Sequence, residues 1–292
     1  MEITRERVSI PVGKTEGTSG VLTLPKGQSR RTGVIVAHGA GNDMGAPLLV
    51  AFSEGLAKAG YPTLRFNFLY SERGRKAPDK FETLAETWRS AAAFFQKQMS
   101  RRMDSWVAAG KSMGGRVASQ MVADDLLAAS RLIFLGYPLH PPGNKASLRD
   151  AHLYRIAVPM LFFAGTRDSL CDMELLHSVL DRIAAPWSLR VIEGGDHSFH
   201  VPKTAGASEG EIYERITGET VRWLEDPASE KPSKKGTQEG EPRDVRKSAS
   251  RPIAAPHSNS NSALSLLPSS YAPRCTATVQ LRRSFLGASI SL

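Results

Sequence analysis

The chain has 292 residues, of which 41% are hydrophobic, so it is long enough to form one large domain or two small ones around a sizeable core. Its two cysteines are too few for a disulfide framework or a cysteine-based zinc site, and we expect neither a metal nor a cofactor. The net charge of +9 does not indicate a nucleic-acid-binding domain, because residues 227–292 hold ten Lys and Arg against four Asp and Glu and so carry most of the excess.

The hydrophobic pattern predicts an opening β-hairpin and then short apolar strands that alternate with helices. In chain order, strands are predicted at residues 8–12, 20–25, 33–37, 62–66, 106–109, 132–135, 160–164 and 189–192. Helices are predicted at residues 48–60, 80–99, 116–122, 173–183 and 211–224. Continuous apolar strands separated by helices are typical of a mostly parallel central sheet with helices on both faces, so we expect one α/β domain over residues 1–226. The link between the strands at 132–135 and 160–164 is too short for a large lid domain.

Residues 227–292 differ in composition from the rest of the chain. They are basic and rich in Ser and Pro, a composition that cannot bury enough apolar surface to offset the entropy of ordering, so we expect a disordered tail. The first residues are charged where a secretory signal would turn apolar, and no apolar stretch reaches the ~18–20 residues of a membrane span. We therefore expect a cytoplasmic protein without a membrane partner, and the sequence leaves its oligomeric state open.

The most informative motif is Gly-Lys-Ser-Met-Gly at residues 110–114, which follows a predicted strand and precedes a predicted helix. This G-x-S-x-G pattern in that context is typical of a nucleophile elbow, a sharp turn that presents a serine hydroxyl above the sheet. Glycines are needed on both sides because side chains there would collide with the turn. A second match at residues 206–210 follows no strand, so we interpret Ser208 as a helix cap and Ser112 as the candidate nucleophile.

A serine hydroxyl needs a base within hydrogen-bond reach and a third group that orients the base. Asp168 and His197 each follow a predicted strand, so both are expected at the same edge of the sheet as Ser112. The chain order Ser, Asp, His is that of α/β-hydrolases. These three residues are therefore the predicted catalytic triad.

Other acids and bases lie near these positions. Asp172 precedes a predicted helix and is the better helix cap, which leaves it as a reserve acid. His200 and His177 are alternative bases, but the Gly-rich loop at a strand end favours His197. His38 precedes the serine and breaks the chain order, so we expect it to stabilise its loop.

Attack on a carbonyl creates a negative oxygen that needs two N–H donors. Met113, directly after the nucleophile, is expected to supply one amide, and Ala40 in the small-residue loop after residues 33–37 the other. The residues predicted as substrate-binding pocket walls are Leu69, Tyr70, Tyr137, His140 and Phe199. The cations nearest to the predicted pocket are Arg65, Arg73, Arg75, Lys111 and Arg116. These cations are candidates for an anionic substrate group, although solvated surface charge is the favoured interpretation.

Several segments in combination resemble one known family. They are residues 36–44, 65–70, 74–79, 110–116, 135–143, 165–168 and 195–199. Together they resemble the α/β-hydrolase-like family of testis-expressed protein 30 and the NSL chromatin-complex subunit 3, which is related to the dienelactone hydrolases. The resemblance runs from about His38 to Leu224 and implies an α/β-hydrolase fold with Ser112, Asp168 and His197 as the triad.

We therefore expect a serine hydrolase that cleaves a small soluble ester or thioester through an acyl-enzyme on Ser112. Dienelactone hydrolases proper carry a cysteine at the position of Ser112, so the resemblance does not imply their particular reaction. The alternative is a non-catalytic α/β-hydrolase-like scaffold that binds a protein partner, as the resemblance to a chromatin-complex subunit allows. An intact Ser, Asp and His set in the right order argues against this alternative.

Overall fold

The computed structural model describes residues 1–202, 204, 206–226 and the backbone of 237–238. This part of the chain contains nine strands and six α-helices. The strands are β1 (Ile3–Val12), β2 (Glu16–Pro25), β3 (Thr32–Ala37), β4 (Thr63–Phe66), β5 (Ser105–Lys111), β6 (Arg131–Leu135), β7 (Met160–Gly165), β8 (Trp187–Ile192) and β9 (Thr237–Gln238). The helices are α1 (Pro47–Lys58), α2 (Leu69–Glu72), α3 (Phe81–Met99), α4 (Met113–Ala123), α5 (Met173–Leu180) and α6 (Glu209–Glu225). One short 3-10 helix, Leu153–Arg155, lies between β6 and β7.

The strands form one sheet in the order β1-β2-β4-β3-β5-β6-β7-β8-β9. The pairs β1 with β2 and β2 with β4 are antiparallel, and every later pair is parallel. Every residue of β4 and of β7 is buried, as expected for strands that are covered on both faces. The carboxyl ends of the parallel strands meet at one edge, where ligands bind in sheets of this kind.

Helices cover the sheet on both faces because successive side chains of each central strand point to opposite sides. On β3, Ile35 packs into a core with Trp88 of α3 and residues of α4 and α5. Its neighbours Val34 and Val36 pack instead into a second core, which contains Phe52 of α1 and residues of α6. The predicted mostly parallel sheet with helices on both faces is therefore confirmed.

Two helical segments differ from the sequence prediction. α5 ends at Leu180 and not at residue 183, and its last residues continue as a tighter turn in which the Arg182 amide bonds the Val179 carbonyl. α2 was not predicted at all, because four residues are too few for a helical period to be visible. It begins three residues after the end of β4, and its Tyr70 hydroxyl donates to the Gly39 carbonyl in the loop that holds Ala40.

Within the described residues, no large lid covers the carboxyl edge of the sheet, as predicted. Between β6 and β7 the only regular structure is the 3-10 helix, and every residue of this link is described. Most of the predicted tail, residues 227–292, lies outside the described residues, but the backbone of β9 pairs in parallel with Ser188 and Leu189 of β8. Among the helices of the described ranges, none is both long and apolar enough to cross a membrane.

Candidate active site

Ser112 lies on the turn between β5 and α4 in an unusual backbone conformation. Its φ of 50° and ψ of −115° belong to a sparsely populated region for a residue with a side chain. The conformation is held on both sides, because the Ser112 amide donates to the Leu135 carbonyl at 3.2 Å and the Ser112 carbonyl accepts from the Arg116 amide at 3.0 Å. The hydroxyl is thereby directed out of the sheet.

Glycines at both ends of the motif allow this turn to exist. A Cβ on Gly110 would lie 2.2 Å from the backbone nitrogen of Gly115. A Cβ on Gly114 would lie 2.6 Å from the His38 carbonyl oxygen and 2.8 Å from that of Ala37. Both neighbours are backbone atoms that cannot rotate away, so the close approach of α4 to β3 and β5 requires residues without a side chain.

The structure brings Ser112, His197 and Asp168 into one hydrogen-bonded chain. The Oγ of Ser112 lies 2.8 Å from Nε2 of His197, and Nδ1 of His197 lies 2.8 Å from Oδ2 of Asp168. The Asp168 side chain has no exposed surface, whereas His197 is 21% exposed. Because the carboxylate accepts the proton on Nδ1, the lone pair of Nε2 faces the serine hydroxyl and can receive its proton.

Close packing of two strand-end loops positions the acid and the base. The amide of Arg167, after β7, donates to the Gly195 carbonyl, after β8, at 2.8 Å. Asp168 is fixed further because its Oδ1 accepts from the Leu170 amide at 2.8 Å. Asp196 closes the histidine loop by accepting from the amides of Ser198 and His200 at 2.7 and 2.9 Å. Although burial opposes it, these hydrogen bonds keep the pKa of Asp196 below its ordinary value.

The alternative acid and bases have other contacts. Asp172 caps α5 by accepting from the Leu175 amide at 3.1 Å and also pairs with Lys145. His200 is exposed and lies 3.4 Å from Asp196 and 3.5 Å from Glu209. His177 lies within α5.

Ser208, the second G-x-S-x-G serine, caps α6. Its side chain accepts from the Glu211 amide, and the Glu211 carboxylate accepts from the Ser208 amide at 2.7 Å, which completes a capping box. The two motifs therefore differ in the structure as their flanking sequences predicted. Ser112 lies between a strand and a helix, and Ser208 lies at the start of a helix that follows a loop.

His38 holds the loop that contains Ala40. Its ring is buried, its Nε2 accepts from the Phe68 amide at 3.0 Å, and its Nδ1 lies 2.8 Å from the Gly39 carbonyl. Tyr70 donates to the same carbonyl at 3.1 Å, and burial raises the pKa of Tyr70 to about 12, so this donor stays neutral. Ala40 then borders the same cleft as Ser112 and Met113. Met113 is the first residue of α4, where amides have no acceptor within the helix.

The cleft beside Ser112 has a volume of about 440 Å³. Phe81, Leu84, Val117 and Leu170 supply apolar surface, and charged groups come from Arg116, Arg149 and Asp79. The sequence reasoning missed most of this lining. For Val117 a signal was present, since it lies five residues after Ser112 on the predicted helix, whereas nothing in its local sequence distinguished Arg149.

None of the five predicted wall residues lines this cleft. Leu69, Tyr70, Tyr137, His140 and Phe199 are all buried behind it. Tyr137 donates its hydroxyl proton to the Arg149 carbonyl at 2.6 Å, and His140 accepts from the Asp172 amide at 3.0 Å. The side chains of Tyr70, Tyr137 and Phe199 pack in the hydrophobic cores. As substrate-binding residues the five remain a prediction.

Of the predicted cations, Arg116 alone is among the residues that line the cleft. Arg73 pairs with Glu16, Arg75 pairs with Asp79, and Arg65 donates to the Met44 carbonyl at 2.7 Å. Lys111 is half-buried with its Nζ 5.8 Å from the centre of the Phe199 ring. Burial lowers the pKa of Lys111 to about 8, although Asp168 and Asp196 act in the opposite direction.

Solved structures share this architecture. An alpha-beta serine hydrolase homologue from Coxiella burnetii is 21% identical, with a TM-score of 0.61 over 75% of this chain and 97% of its own. A dienelactone hydrolase from Anabaena variabilis is 19% identical, with a TM-score of 0.59 over 77% of this chain and 98% of its own. A serine hydrolase without a lid from Xanthomonas campestris is 18% identical, with a TM-score of 0.59 over 76% of this chain and 96% of its own. At these identities the likeness establishes the fold.

The sequence gives the same assignment independently of these structures. Residues 30–225, which run from the end of the hairpin to the last residue of α6, match the family described as the alpha/beta hydrolase domain. The match includes β3 to β8, α1 to α6 and the three hydrogen-bonded residues Ser112, His197 and Asp168. The chain therefore belongs to the alpha/beta hydrolase domain family.

Proposed function

We propose that the protein is a serine hydrolase that cleaves a small soluble ester or thioester through an acyl-enzyme on Ser112. The observation that carries this proposal is the unbroken chain from the Ser112 hydroxyl through His197 to the buried carboxylate of Asp168, with 2.8 Å at each step. Family membership supports hydrolysis in general. As part of the same proposal, the protein belongs to the narrower family of testis-expressed protein 30 and NSL subunit 3, which its motifs resemble.

In the proposed reaction, Nε2 of His197 takes the hydroxyl proton as Oγ of Ser112 attacks the carbonyl carbon. The negative oxygen that forms is stabilised by the amides of Met113 and Ala40. His197 then passes its proton to the departing alcohol or thiol, which leaves an acyl-serine. Water, activated by the same nitrogen, hydrolyses this ester, releases the acid and restores the hydroxyl. Asp168 holds the ring in the tautomer that both steps need.

The shape of the cleft supports a small substrate. Its volume of about 440 Å³ suits a short acyl chain, and the link between β6 and β7 holds no lid that would shelter a long lipid. An esterase domain from Rhodothermus marinus is among the structures of similar fold, with 17% identity and a TM-score of 0.55. The scaffold alternative has no comparable support, since Ser112 borders a cleft that no described residue fills.

The test compares the two G-x-S-x-G serines. Because the triad acts as a unit, Ser112→Ala should lower kcat for short 4-nitrophenyl esters by roughly a thousandfold or more. It should also abolish labelling by a fluorophosphonate probe. Ser208→Ala is the matched control, and both its turnover and its labelling should stay at the level of the unmodified protein.

The same assay tests the base. His197→Ala should lower kcat to within about tenfold of Ser112→Ala, because a triad without its base loses most of its advantage. His200→Ala should keep its activity. Labelling that persists in Ser112→Ala, or an absence of turnover and labelling in the unmodified protein, contradicts the proposed function.

A further inference from the structure

Two arginines line the cleft beside Ser112. Arg116 lies four residues after Ser112, so it is one turn further along the same face of α4, roughly 6 Å along the helix axis. Arg149 reaches the cleft from the link between β6 and β7. Both are half-buried. The cleft is therefore lined by the candidate nucleophile and by two guanidinium-bearing side chains.

Neither arginine pairs with an acidic side chain in the described part of the chain. Within the described ranges, no ion pair includes Arg116 or Arg149, while Arg75, Arg73 and Arg155 each pair with a carboxylate. Arg116 donates to the side-chain oxygen of Gln120, and Arg149 to the Pro138 carbonyl, both at a long 3.4 Å. A guanidinium has five N–H donors, so most of the donors of this pair remain for a ligand.

Hydrogen bonds hold the backbone of Arg149, and an uncharged histidine lies near Arg116. The Arg149 amide donates to the Leu139 carbonyl at 2.8 Å, and its own carbonyl accepts from the Tyr137 hydroxyl at 2.6 Å. Behind Arg116, His152 contacts Ser119 at 2.8 Å. Burial, together with Arg116 and Arg155, lowers the pKa of His152 to about 4, so this imidazole is uncharged at neutral pH. Asp124 and Asp150 act on His152 in the opposite direction, but these two carboxylates pair with Arg155 and Arg182 and not with Arg116 or Arg149.

The charge of the cleft is positive on balance. Burial lowers the pKa of Arg116, and the charge of Arg149 lowers it further. This second effect is expected when two like charges lie close together. Among the described residues that line the cleft, Asp79 carries a carboxylate, whose Oδ1 pairs with Arg75 and whose Oδ2 is buried without a hydrogen-bond partner. Two adjacent cations without a counter-charge are costly in a half-buried site, and an anionic ligand removes that cost.

We propose that Arg116 and Arg149 together bind a carboxylate of the substrate, so that the preferred esters and thioesters carry a negative charge at the far end of a short acyl chain. This inference rests on the proposed function for the position of the scissile carbonyl at Ser112. The cleft volume of about 440 Å³ suits an acyl chain of a few carbons between the two ends. The apolar surface of Leu84 and Val117 suits the methylene groups between the two ends.

The test uses two esters that differ only at the end of the acyl chain. Monoethyl glutarate carries a carboxylate where ethyl pentanoate carries a methyl group, and both release ethanol and an acid that a pH-stat measures. The unmodified protein should have the larger kcat/KM for monoethyl glutarate. In Arg116→Gln and Arg149→Gln the ratio of the two kcat/KM values should fall roughly tenfold to a hundredfold, the usual effect of losing a charged hydrogen bond.

The controls separate binding from folding. Arg149→Lys should restore part of the ratio, because it restores the charge without the planar fork. Arg155→Gln is the matched control, since Arg155 pairs with Asp124 outside the cleft, and it should leave the ratio unchanged. Because both esters are measured on the same preparation, partial unfolding lowers both rates and leaves their ratio intact.

A binding measurement keeps the inference testable if no ester is hydrolysed. In calorimetric titrations, Ser112→Ala should bind monoethyl glutarate, and adding Arg116→Gln and Arg149→Gln should abolish that binding. Ester turnover with an unchanged ratio in both arginine variants overturns the carboxylate site and leaves the proposed function standing. Carboxylate binding without turnover or probe labelling overturns the proposed function and supports the site. Binding of monoethyl glutarate that survives the arginine substitutions overturns the site in either case.

Discussion

Lys111 stands directly before the candidate nucleophile and places an ammonium group near Asp168 and Asp196. It packs so closely against the end of β6 that a Cβ on Gly136 would lie 3.2 Å from its Nζ. Its ring contact with Phe199 replaces only part of the hydration that the ammonium group loses. Burial of this charge therefore costs stability, and that cost depends on pH.

The pH dependence has a definite sign. Below pH 8, Lys111 is protonated in both the folded and the unfolded chain, so the cost of burying its charge is fully present. Between pH 8 and the ordinary value of 10.5, the folded protein loses this proton first, and the cost disappears as the pH rises. Relative to Lys111→Met, the free energy of unfolding of the unmodified protein should rise by on the order of 2 kcal/mol from pH 7 to pH 10.

Urea unfolding of both proteins at several pH values measures this difference. Lys111→Met keeps the apolar stem and removes the titrating group, so every other pH effect cancels in the comparison. Two stability curves that stay parallel from pH 7 to pH 10 would show that Lys111 keeps an ordinary pKa in the folded protein.

The contact of Ser112, Asp168 and His197 was predictable because a motif and a chain order encode it. The lining of the cleft was not predictable in the same way. Whether Tyr137 faces a cleft or a core depends on the path of the whole link between β6 and β7, which has no period to read. Arg149 lies on that same link, so its place in the cleft is visible only once the chain has folded.

At the scale of elements, the turn from β5 to α4 is the feature that fixes the site. Gly114→Ala should place a methyl group against the backbone oxygens of His38 and Ala37 at 2.6–2.8 Å. These oxygens belong to the end of β3 and the loop that leads to Ala40, so α4 and that loop must move apart. We expect a loss of about 2 kcal/mol or more in the free energy of unfolding and a drop in esterase kcat of at least about a hundredfold.

Gly218→Ala on α6 is the matched control. A Cβ there would meet only the Arg222 side chain, at 3.7 Å, so nothing opposes the added methyl group. Alanine is the better helix former, and this substitution should raise the free energy of unfolding by roughly 0.5–1 kcal/mol without changing activity. Thermal unfolding and ester hydrolysis of both variants provide the measurement. Equal behaviour of the two variants would mean that the close approach at Gly114 has no functional importance.

The elements with long periods were predictable to within a few residues, as the long helix α3 illustrates. The expected start at residue 80 differs from the observed start at Phe81, because Lys80 has an extended backbone and serves as the cap. α2 was not predicted from the sequence, although it contributes to the candidate site. It carries Tyr70, whose hydroxyl holds the Gly39 carbonyl in the loop that leads to Ala40.

At the scale of the whole molecule, the hairpin of β1 and β2 belongs to the same sheet as the family-matched region. Ile10 and Leu22 are buried in the core that also contains Trp88, although both precede residue 30, where the family match begins. The hairpin itself was visible in the sequence. Its place beside β4 was not, since it depends on pairing between Leu22 and Leu64, which lie far apart in the chain.

Two truncations test what the carboxyl-terminal region contributes to the folded domain. The compact unit that contains the site ends at Glu241, and β9 contributes two residues of parallel pairing with β8 inside it. A chain that ends at residue 241 keeps this pairing. The composition of residues 242–292 does not favour packing. The melting temperature and esterase activity of the chain that ends at residue 241 should therefore equal those of the full chain.

A chain that ends at residue 226 loses β9. The loss of a two-residue edge pairing should cost about 1 kcal/mol, or roughly 2–4 °C in melting temperature, with activity retained because β8 still carries His197 on its following loop. Differential scanning fluorimetry and ester hydrolysis on both truncations test this division of the chain. If the chain that ends at residue 241 precipitates or melts many degrees lower, residues beyond 241 contribute to the stability of the folded domain, and the expected disordered tail must be abandoned.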